Sequence, residues 1–276
     1  MTMNMPLRSA PGTVFSAPGA ALTSRADARL LQALRTTVTA VFGGDCDEQY
    51  TAPPVIARET LDRAGYPESF PHLLGRVHAA PEGGEPGPTD LALTPAACHH
   101  LYPLLAGTAL PTTVCLGVEA VCFRAEATAE PGRFRSFRMQ EIVRVGEEEE
   151  IAAWRDKAAQ AAHAWLGDLG LAAETVPAND PFFGRPGRLL ASAQRSQQLK
   201  WEMAVGVADD VVQAVASANC HKEHFGEAFG ITDEAGRPAH SACLAFGLDR
   251  LVLALRHRHG PDADSWPAGV RARLSW

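Results

Sequence analysis

Apolar positions along the chain predict two long amphipathic helices. Apolar residues recur at helical spacing from Leu30 to Val41, and Gly43 and Gly44 follow, so we expect a helix that ends there. The same spacing is found from Ile151 to Leu169. Glu147 to Glu150 precede this second run, and carboxylates in a first turn interact favourably with the helix dipole. The acidic run therefore indicates the start of a helix.

Two β-strands are predicted in the middle of the chain. Val, Leu, Cys and Ala dominate from Thr112 to Phe123, and apolar residues alternate with polar ones from Phe134 to Val145. Pro131 and Gly132 lie between the two runs and predict the turn that joins them. Further expected elements are a helix from Leu189 to about Val207, a strand from Val211 to Ala216, and a strand that leads into a helix from Cys243 to Leu255.

The pattern indicates one folded domain behind a short leader. Ala, Pro, Ser and Thr are frequent in residues 1–24, which we expect to be flexible, and we assign residues 25–276 to a single domain. Pro and Gly crowd residues 80–89, which we interpret as an exposed loop within that domain. The sequence contains no run of about 18 apolar residues, so it predicts no membrane-spanning helix.

Composition and charge narrow the classes of function. Of the 276 residues, 46% are hydrophobic and 21% are charged, which is typical of a soluble globular protein. A formal net charge of −7 disfavours attraction of the whole surface to a polyanion such as nucleic acid. The six cysteines lack the dense spacing of a secreted disulfide scaffold, so we expect reduced thiols and a cytoplasmic location.

The candidate chemistry lies on the two predicted central strands. Residues 123–126 read Phe-Arg-Ala-Glu, and beyond the turn Arg133, Phe137 and Glu141 recur at every fourth position. Guanidinium groups pair with phosphate and a flat ring stacks on a base, so such a surface can hold a nucleotide. An exposed hairpin studded with arginines is the alternative. A second stretch later in the chain, residues 245–251, reads Ala-Phe-Gly-Leu-Asp-Arg-Leu and favours the nucleotide site.

In order and spacing, these stretches resemble the catalytic core of class II aminoacyl-tRNA synthetases. Motif 2 of that class reads Arg-x-Glu, a loop, and then Arg or His-x-x-x-Phe-x-x-x-acid, and motif 3 ends Gly-x-acid-Arg. Here Ala245 replaces one motif 3 glycine and Asp249 replaces the usual glutamate, while Arg250 is retained. The resemblance implies an α/β (α+β) fold, in which a mainly antiparallel β-sheet is flanked by helices.

The chain resembles more closely the short seryl-tRNA-synthetase-like proteins called amino acid:[carrier protein] ligases. The similarity covers about residues 45–257. It includes the blocks 181–185 (Pro-Phe-Phe-Gly-Arg), 199–202 (Leu-Lys-Trp-Glu), 219–225 (Asn-Cys-His-Lys-Glu-His-Phe) and 242–247 (Ala-Cys-Leu-Ala-Phe-Gly). It implies an enzyme that activates a small amino acid, glycine or alanine, with ATP and transfers it to the phosphopantetheine thiol of an acyl carrier protein.

The resemblance also implies which residues bind ATP. Arg124 contacts the α-phosphate, Phe137 stacks on adenine, and Arg250 covers the ring near the γ-phosphate. Arg124 and Arg250 form the expected catalytic pair, because two guanidinium groups neutralise charge that builds at phosphorus. Glu126 holds Arg124 or reads the adenine amino group, unless it forms a structural salt bridge. The expected ATP-binding set is Arg124, Glu126, Arg133, Phe137, Asp249 and Arg250.

Magnesium is expected together with ATP, but its ligands depart from the class pattern. In class II enzymes a carboxylate on the strand before motif 3 often binds this ion, and the best equivalent here is Gln213. An amide ligates magnesium less strongly than a carboxylate does. Either the alignment is shifted, or magnesium depends on other groups such as phosphate oxygens and water.

A zinc ion held by two cysteines and one glutamate is a further implication of the resemblance. By motif, these residues are Cys98, Glu141 and Cys243. Two thiolates and one carboxylate leave an open position on tetrahedral zinc, which can accept an uncharged substrate amine. Taken alone, Cys98 and Cys243 would be interpreted as buried apolar residues. A rival metal set is Cys220, His221, His224 and His240, with Cys243 nearby.

Other expectations concern the pocket and the partners. The candidates for the substrate pocket are Lys200, Glu202, Ser217 and Asn219, with a structural salt bridge as the simpler account of the first two. Carrier proteins are acidic, so the candidates for carrier binding are Arg185, Arg188 and Arg195, with solvated arginines as the alternative. Class II cores usually form homodimers through motif 1, which we expect between Pro53 and Pro71.

The sequence leaves other functions open. Seryl-type tRNA aminoacylation needs an added tRNA-binding segment, and only about 45 residues precede the core, so tRNA is not expected as a partner. A non-catalytic paralogue could sense an amino acid, but the retained Arg124, Phe137 and Arg250 favour an enzyme. A zinc-stabilised structural domain is the third alternative. Glycine and alanine cannot be separated, since packing against one methyl group discriminates by only about 10- to 200-fold.

Overall fold

Nine strands form one sheet in the part of the chain that the structure describes. The computed structural model describes residues 13–80, 82–126, 130–180, 192, 194 and 197–276. Side by side run β3 (Glu48–Thr51), β7 (Val114–Phe123), β8 (Ser136–Gly146), β12 (His240–Gly247), β11 (Val211–Lys222), β10 (Lys200–Ala208) and β9 (Glu174–Pro177). These neighbours are antiparallel except β3 and β7, which are parallel. The expected mainly antiparallel sheet is confirmed.

Three long helices cover one face of this sheet and build the main core. They are α1 (Arg25–Phe42), α4 (Glu148–Asp168) and α6 (Leu248–His259). The hydroxyl of Ser24 caps α1 by accepting from the backbone N–H of Asp27, and Gly43 follows its last residue as predicted. Glu147 caps α4 by accepting from two backbone N–H groups of the next turn. The acidic run therefore does start a helix.

The opposite face of the sheet is covered only in part. There α5 (His224–Phe229) and two short 3₁₀ turns, Ala97–His100 and Tyr102–Leu105, pack a second apolar cluster against β7, β8 and β12. Tyr102 stacks on Phe225 with ring centroids 3.9 Å apart. The rest of this face presents polar side chains, and the candidate site lies there.

A small three-stranded sheet follows β3 along the chain. Its order is β4 (Val55–Ala57), β6 (Gly87–Leu93) and β5 (Arg76–Ala79), and α2 (Arg58–Arg63) and α3 (Tyr66–Ser69) belong to the same segment. Residues 80–89, expected as a loop, thus include the first residues of a strand. The segment from Pro53 to Pro71, where we expected motif 1, forms part of this small sheet and its helices.

Two further elements differ from the sequence-based expectations. The helix expected up to Val207 is replaced by β10 from Lys200 onward, because pairing with β9 and β11 satisfies its backbone on both sides. Residues 14–22, expected in the flexible leader, form a hairpin of β1 (Val14–Ala17) and β2 (Ala20–Leu22) that pairs with the start of β8.

A last short helix, α7 (Ala268–Arg273), lies near the C-terminus. None of the helices described is long and apolar enough to cross a membrane.

Candidate active site

Three arginines from different elements converge on the open face of the sheet. Arg124 follows β7, Arg133 precedes β8, and Arg250 lies in the first turn of α6. Burial, followed by the positive charges of Arg124 and Arg133, lowers the pKa of Arg250 to about 10. Cations this close repel one another, so the cluster favours a bound polyanion.

Backbone carbonyls fix the orientation of Arg250. Its Nε donates to the carbonyl of Gly132 and its Nη1 to the carbonyl of Ala214, each at 2.8 Å. Arg124 lies over the ring of Phe137, with its Cζ 5.6 Å from the ring centroid. The Nε of Arg124 is buried without a hydrogen-bond partner among the described residues. The expected arginine and aromatic residues are therefore neighbours.

Gln213 and Glu130 lie beside the arginines. Gln213 is 5% exposed, and its Nε2 donates to Oε1 of Glu130 in the β7–β8 connection. The backbone φ of Gly132 is +82°, and a Cβ there would lie 3.2 Å from Cγ of Gln213. The glycine therefore allows the turn to approach β11 closely. The carboxylate of Glu130, in the turn, thereby reaches the side-chain amide of Gln213 on β11.

Lys200 lies between two carboxylates. Its Nζ is 2.5 Å from Oδ1 of Asp180 and 3.1 Å from Oε1 of Glu202. Burial alone would lower the pKa of Lys200, but the charges of Asp180 and Glu202 outweigh it and raise the pKa. Burial would likewise raise the pKa of Asp180, and Lys200 with Gln194 lowers it instead. Sequence reasoning missed Asp180, which no motif marks.

The expected pocket residues share one face of the sheet. In the strand register Lys200 pairs with Asn219, Asn219 with Cys243, and Glu202 with Ser217. Paired residues of neighbouring strands project to the same side. Nδ2 of Asn219 donates to Oγ of Ser217 and to Sγ of Cys243, each at 3.2 Å. Asn219 therefore links this face to Cys243.

Cys98, Glu141 and Cys243 come together beneath this pocket. The thiol of Cys98 hydrogen-bonds with both Cys243 and Glu141, and the Glu141 carboxylate accepts from the backbone N–H of Ala97 at 2.9 Å. The three residues are at most 5% exposed. Burial raises the pKa of Glu141 to about 7, whereas the hydrogen bond from Cys98 lowers the pKa of Cys243 well below its usual value.

The chemistry of this trio fits zinc. Over the described ranges, no group of three or more His, Cys, Asp and Glu side chains is arranged so that it could hold a metal ion. Cys98, Glu141 and Cys243 instead hydrogen-bond to one another. Two thiols and one buried carboxylate are nevertheless a donor set that zinc prefers, and a bound cation would stabilise their ionised forms.

The histidines of the rival metal set contact different residues. Nε2 of His221 lies 3.7 Å from Sγ of Cys243, and its Nδ1 lies 3.2 Å from the hydroxyl of Tyr102. His224 hydrogen-bonds with the carbonyl of Ala64, and His240 lies 3.6 Å from a carboxylate oxygen of Glu223. His221 alone of these histidines therefore contacts the cluster.

Some expected site residues lie elsewhere. Asp249 accepts from the backbone N–H of Arg138 at 2.5 Å and from its Nη1 at 2.6 Å, on the helix side of β8 and away from the arginine cluster. Glu126 is exposed, beside residues 127–129, which are not described. The carrier-binding candidates Arg185, Arg188 and Arg195, and the block 181–185, also fall outside the described residues.

Solved structures of similar fold are seryl-tRNA synthetases. The enzyme of M. kandleri, in complex with tRNASec of A. aeolicus, has a TM-score of 0.81 at 22% identity and covers 97% of this chain and 59% of its own. The enzyme of Pyrococcus horikoshii, complexed with ATP, has a TM-score of 0.74 at 17% identity and covers 96% of this chain and 61% of its own. The fold is therefore that of a seryl-tRNA-synthetase-like class II core.

Sequence comparison identifies nearer relatives. No family model matches the chain. Two proteins of Bradyrhizobium diazoefficiens are similar to it, amino acid--[acyl-carrier-protein] ligase 1 and ligase 2. Ligase 1 is 40% identical over 240 residues, which are 79% of this chain and 74% of the relative. Ligase 2 is 41% identical over 243 residues, 80% of this chain and 73% of the relative. Because the matches span most of this chain and most of each relative, this chain is a ligase and belongs to the amino acid–[acyl-carrier-protein] ligase family.

Proposed function

We propose that this enzyme activates a small amino acid, glycine or alanine, and transfers it to the phosphopantetheine thiol of an acyl carrier protein. The observation that carries the proposal is the convergence of Arg124, Arg133 and Arg250 on the sheet face that also holds the Cys98 cluster. One end of this face suits a nucleotide polyphosphate, and the other suits a small amine. The names of the relatives support an amino acid and an acyl carrier protein as substrates, whereas glycine or alanine rests on the sequence resemblance alone.

In the first step, a carboxylate oxygen of the amino acid attacks the α-phosphorus of ATP, and the bond to pyrophosphate breaks. Arg124 and Arg250 would neutralise charge on the phosphoryl oxygens, and the carbonyls of Gly132 and Ala214 hold the Arg250 guanidinium in place. Phe137 offers a flat face for adenine. The products are an aminoacyl-adenylate and pyrophosphate.

In the second step, the sulfur of the carrier thiol attacks the carbonyl carbon of the adenylate. The bond to the phosphate oxygen breaks, AMP leaves with the electron pair, and the thiol proton passes to solvent. The mixed anhydride already contains a good leaving group, so the enzyme needs orientation of the reactants more than a nucleophile of its own.

Zinc is the cofactor we propose for amine recognition. Cys98, Glu141 and Cys243 would hold the ion, which when bound offers an open position to the amino group of the substrate. Asn219 and His221 contact Cys243 and fix its side chain. Lys200, held by Asp180 and Glu202, pairs with Asn219 across β10 and β11 and would close the polar side of the pocket.

Magnesium would accompany ATP through a residue that sequence reasoning did not find. The carboxylate of Glu130 accepts a hydrogen bond from the amide of Gln213, and its Oε2 lies 3.8 Å from Nε of Arg133. Carboxylate oxygens are strong ligands for magnesium. Glu130 would therefore supply the acid that this strand lacks, with the amide of Gln213 orienting it.

A homodimer through the β3 edge is also part of the proposal. All four residues of β3 are exposed, and its Tyr50 is 40% exposed. An exposed edge strand offers unpaired backbone groups to a second copy. Size-exclusion chromatography with light scattering tests the dimer, and a monomer at micromolar concentration would contradict the proposal.

A cytoplasmic location fits the six free cysteines.

The decisive experiment is amino-acid-dependent exchange between ATP and labelled pyrophosphate, followed by mass spectrometry of a phosphopantetheinylated carrier protein. We expect exchange with glycine or alanine, and a mass increase of the carrier equal to the aminoacyl group. Exchange with no small amino acid would support a non-catalytic sensor. Charging of tRNA in place of the carrier would support a seryl-type synthetase.

A further inference from the structure

A second pair of thiols lies outside the proposed active site. Cys46 belongs to the connection between α1 and β3, and Cys115 is the second residue of β7. Their Sγ atoms are 2.7 Å apart. A disulfide bond is about 2.05 Å long, so a small movement of either side chain would bring the sulfurs to bonding distance.

The backbone on both sides of the pair is fixed. The N–H of Asp47 donates to the carbonyl of Cys115, and the N–H of Cys115 donates to a carboxylate oxygen of Asp47, each at 2.8 Å. The next residues, Glu48 and Leu116, begin the parallel pairing of β3 with β7. The two cysteines are therefore held together by the fold itself.

The surroundings of the pair favour thiol chemistry. Cys46 is half-buried, whereas Cys115 is 5% exposed. The hydrogen bond that Cys46 donates to Cys115 lowers the pKa of Cys115 and raises the pKa of Cys46, while the positive charge of Arg144 lowers the pKa of both. Thiolates, not thiols, attack disulfide bonds, so the charge of Arg144 favours exchange at either cysteine.

We propose that Cys46 and Cys115 form a reversible disulfide when a low-molecular-weight disulfide oxidises them. Cys46, the accessible thiol, loses its proton and attacks one sulfur of the reagent, which releases one thiol and leaves a mixed disulfide. Cys115 then attacks the sulfur of Cys46 and releases the second thiol. Two protein thiols are oxidised and one reagent disulfide is reduced to two thiols.

The cross-link would tie the start of β3 to β7. It would also close the loop from residue 46 to residue 115, which contains the whole small sheet of β4, β5 and β6. Closing so long a loop restricts the unfolded chain, so oxidation should raise the melting temperature by roughly 5 °C or more. The stability of the sheet edge would then depend on the redox state of the cell.

The test treats the full-length protein with oxidised glutathione and counts free thiols in denaturant before and after. We expect a loss of two thiols per chain, a non-reduced peptide pair that contains Cys46 and Cys115, a higher melting temperature, and full reversal by dithiothreitol. Cys46→Ser and Cys115→Ser should each abolish the cross-link. Cys220→Ser is the matched control, since Cys220 is also half-buried, and it should cross-link as the unaltered protein does.

Two outcomes would overturn the proposal. One is a stable glutathione adduct on Cys46 with Cys115 still free, because Cys115 would then not resolve it. The other is a cross-link between different cysteines. Both are read from peptide masses of the unaltered protein, so the test stands even if a serine variant fails to fold.

Discussion

Gln213 donates a side-chain hydrogen bond to the carboxylate of Glu130, and this bond joins strand β11 to the turn that carries Arg133. A buried amide and a half-exposed acid are thus paired at this point of the sheet. The acid comes from a loop, so its place depends on how the turn folds back across the sheet.

Removal of this acid should weaken magnesium binding. We expect Glu130→Gln to reduce the affinity for magnesium–ATP roughly 10-fold, because an amide is a poorer magnesium ligand, while binding of ATP without magnesium changes little. Titration calorimetry with and without magnesium measures both. Glu85→Gln, at an exposed loop position, is the control. Equal losses with and without magnesium would instead assign Glu130 to the fold or to ATP itself.

Arg250 should be required for adenylate formation. Arg250→Ala should lower the rate of pyrophosphate exchange by about 10²- to 10⁴-fold, because charge developing at phosphorus loses a fixed donor. Arg250→Lys should recover little, since one ammonium group cannot contact Gly132, Ala214 and phosphate in the geometry of a guanidinium. Arg76→Ala, at an exposed position on β5, should leave the rate unchanged. An Arg250→Ala enzyme with normal exchange would contradict the proposed role.

Loss of a cluster thiol should remove zinc but keep the fold. Cys98→Ser should lose bound zinc, measured by elemental analysis, together with amino-acid-dependent exchange, while circular dichroism keeps its native form. Cys220→Ser should retain both zinc and activity, because it lies outside the trio. If Cys98→Ser unfolds at 25 °C, the cluster is structural. If exchange persists after complete chelation, zinc does not bind the substrate amine.

Tyr66 should make the fold sensitive to alkaline pH. Burial raises the pKa of Tyr66 to about 12, so between pH 10 and 12 the unfolded chain ionises while the folded chain does not. Stability should therefore fall as pH rises through 10, by about 1 kcal/mol between pH 9 and 11 from this residue. Urea unfolding of Tyr66→Phe should show that much less pH dependence. Tyr50→Phe, at a 40% exposed position, should show none of this difference.

Sequence reasoning located the residues that local motifs carry. Arg124 lies next to Phe137 and to Arg250, as expected. Each of the three lies on or beside a strand or helix that the pattern of apolar residues predicts. Cys98, Glu141 and Cys243 also meet, although only the family resemblance pointed to them. The pairing of β10 between β9 and β11 was not visible, since a run of apolar residues there fits a helix equally well.

The residues that were missed depend on contacts between distant segments. Asp180 reaches Lys200 from beyond β9, and Glu130 reaches Gln213 from a turn. Neither position has a spacing that sequence could reveal, because both partners are set by tertiary packing. Asp249 differs in the opposite way: its motif predicts a place beside ATP, and in the structure its carboxylate accepts hydrogen bonds from Arg138 on the helix side.

Side chains of strand β8 point alternately to the candidate site and to the helices on the other face of the sheet. Phe137 and Glu141 face the candidate site, whereas Arg138 binds Asp249 and Gln140 donates to Thr39 of α1. Inserting or deleting one residue would exchange the two sets, sending the acid toward the helices and the amide toward the thiols. This strand can therefore diverge in residue type during evolution, but scarcely in length.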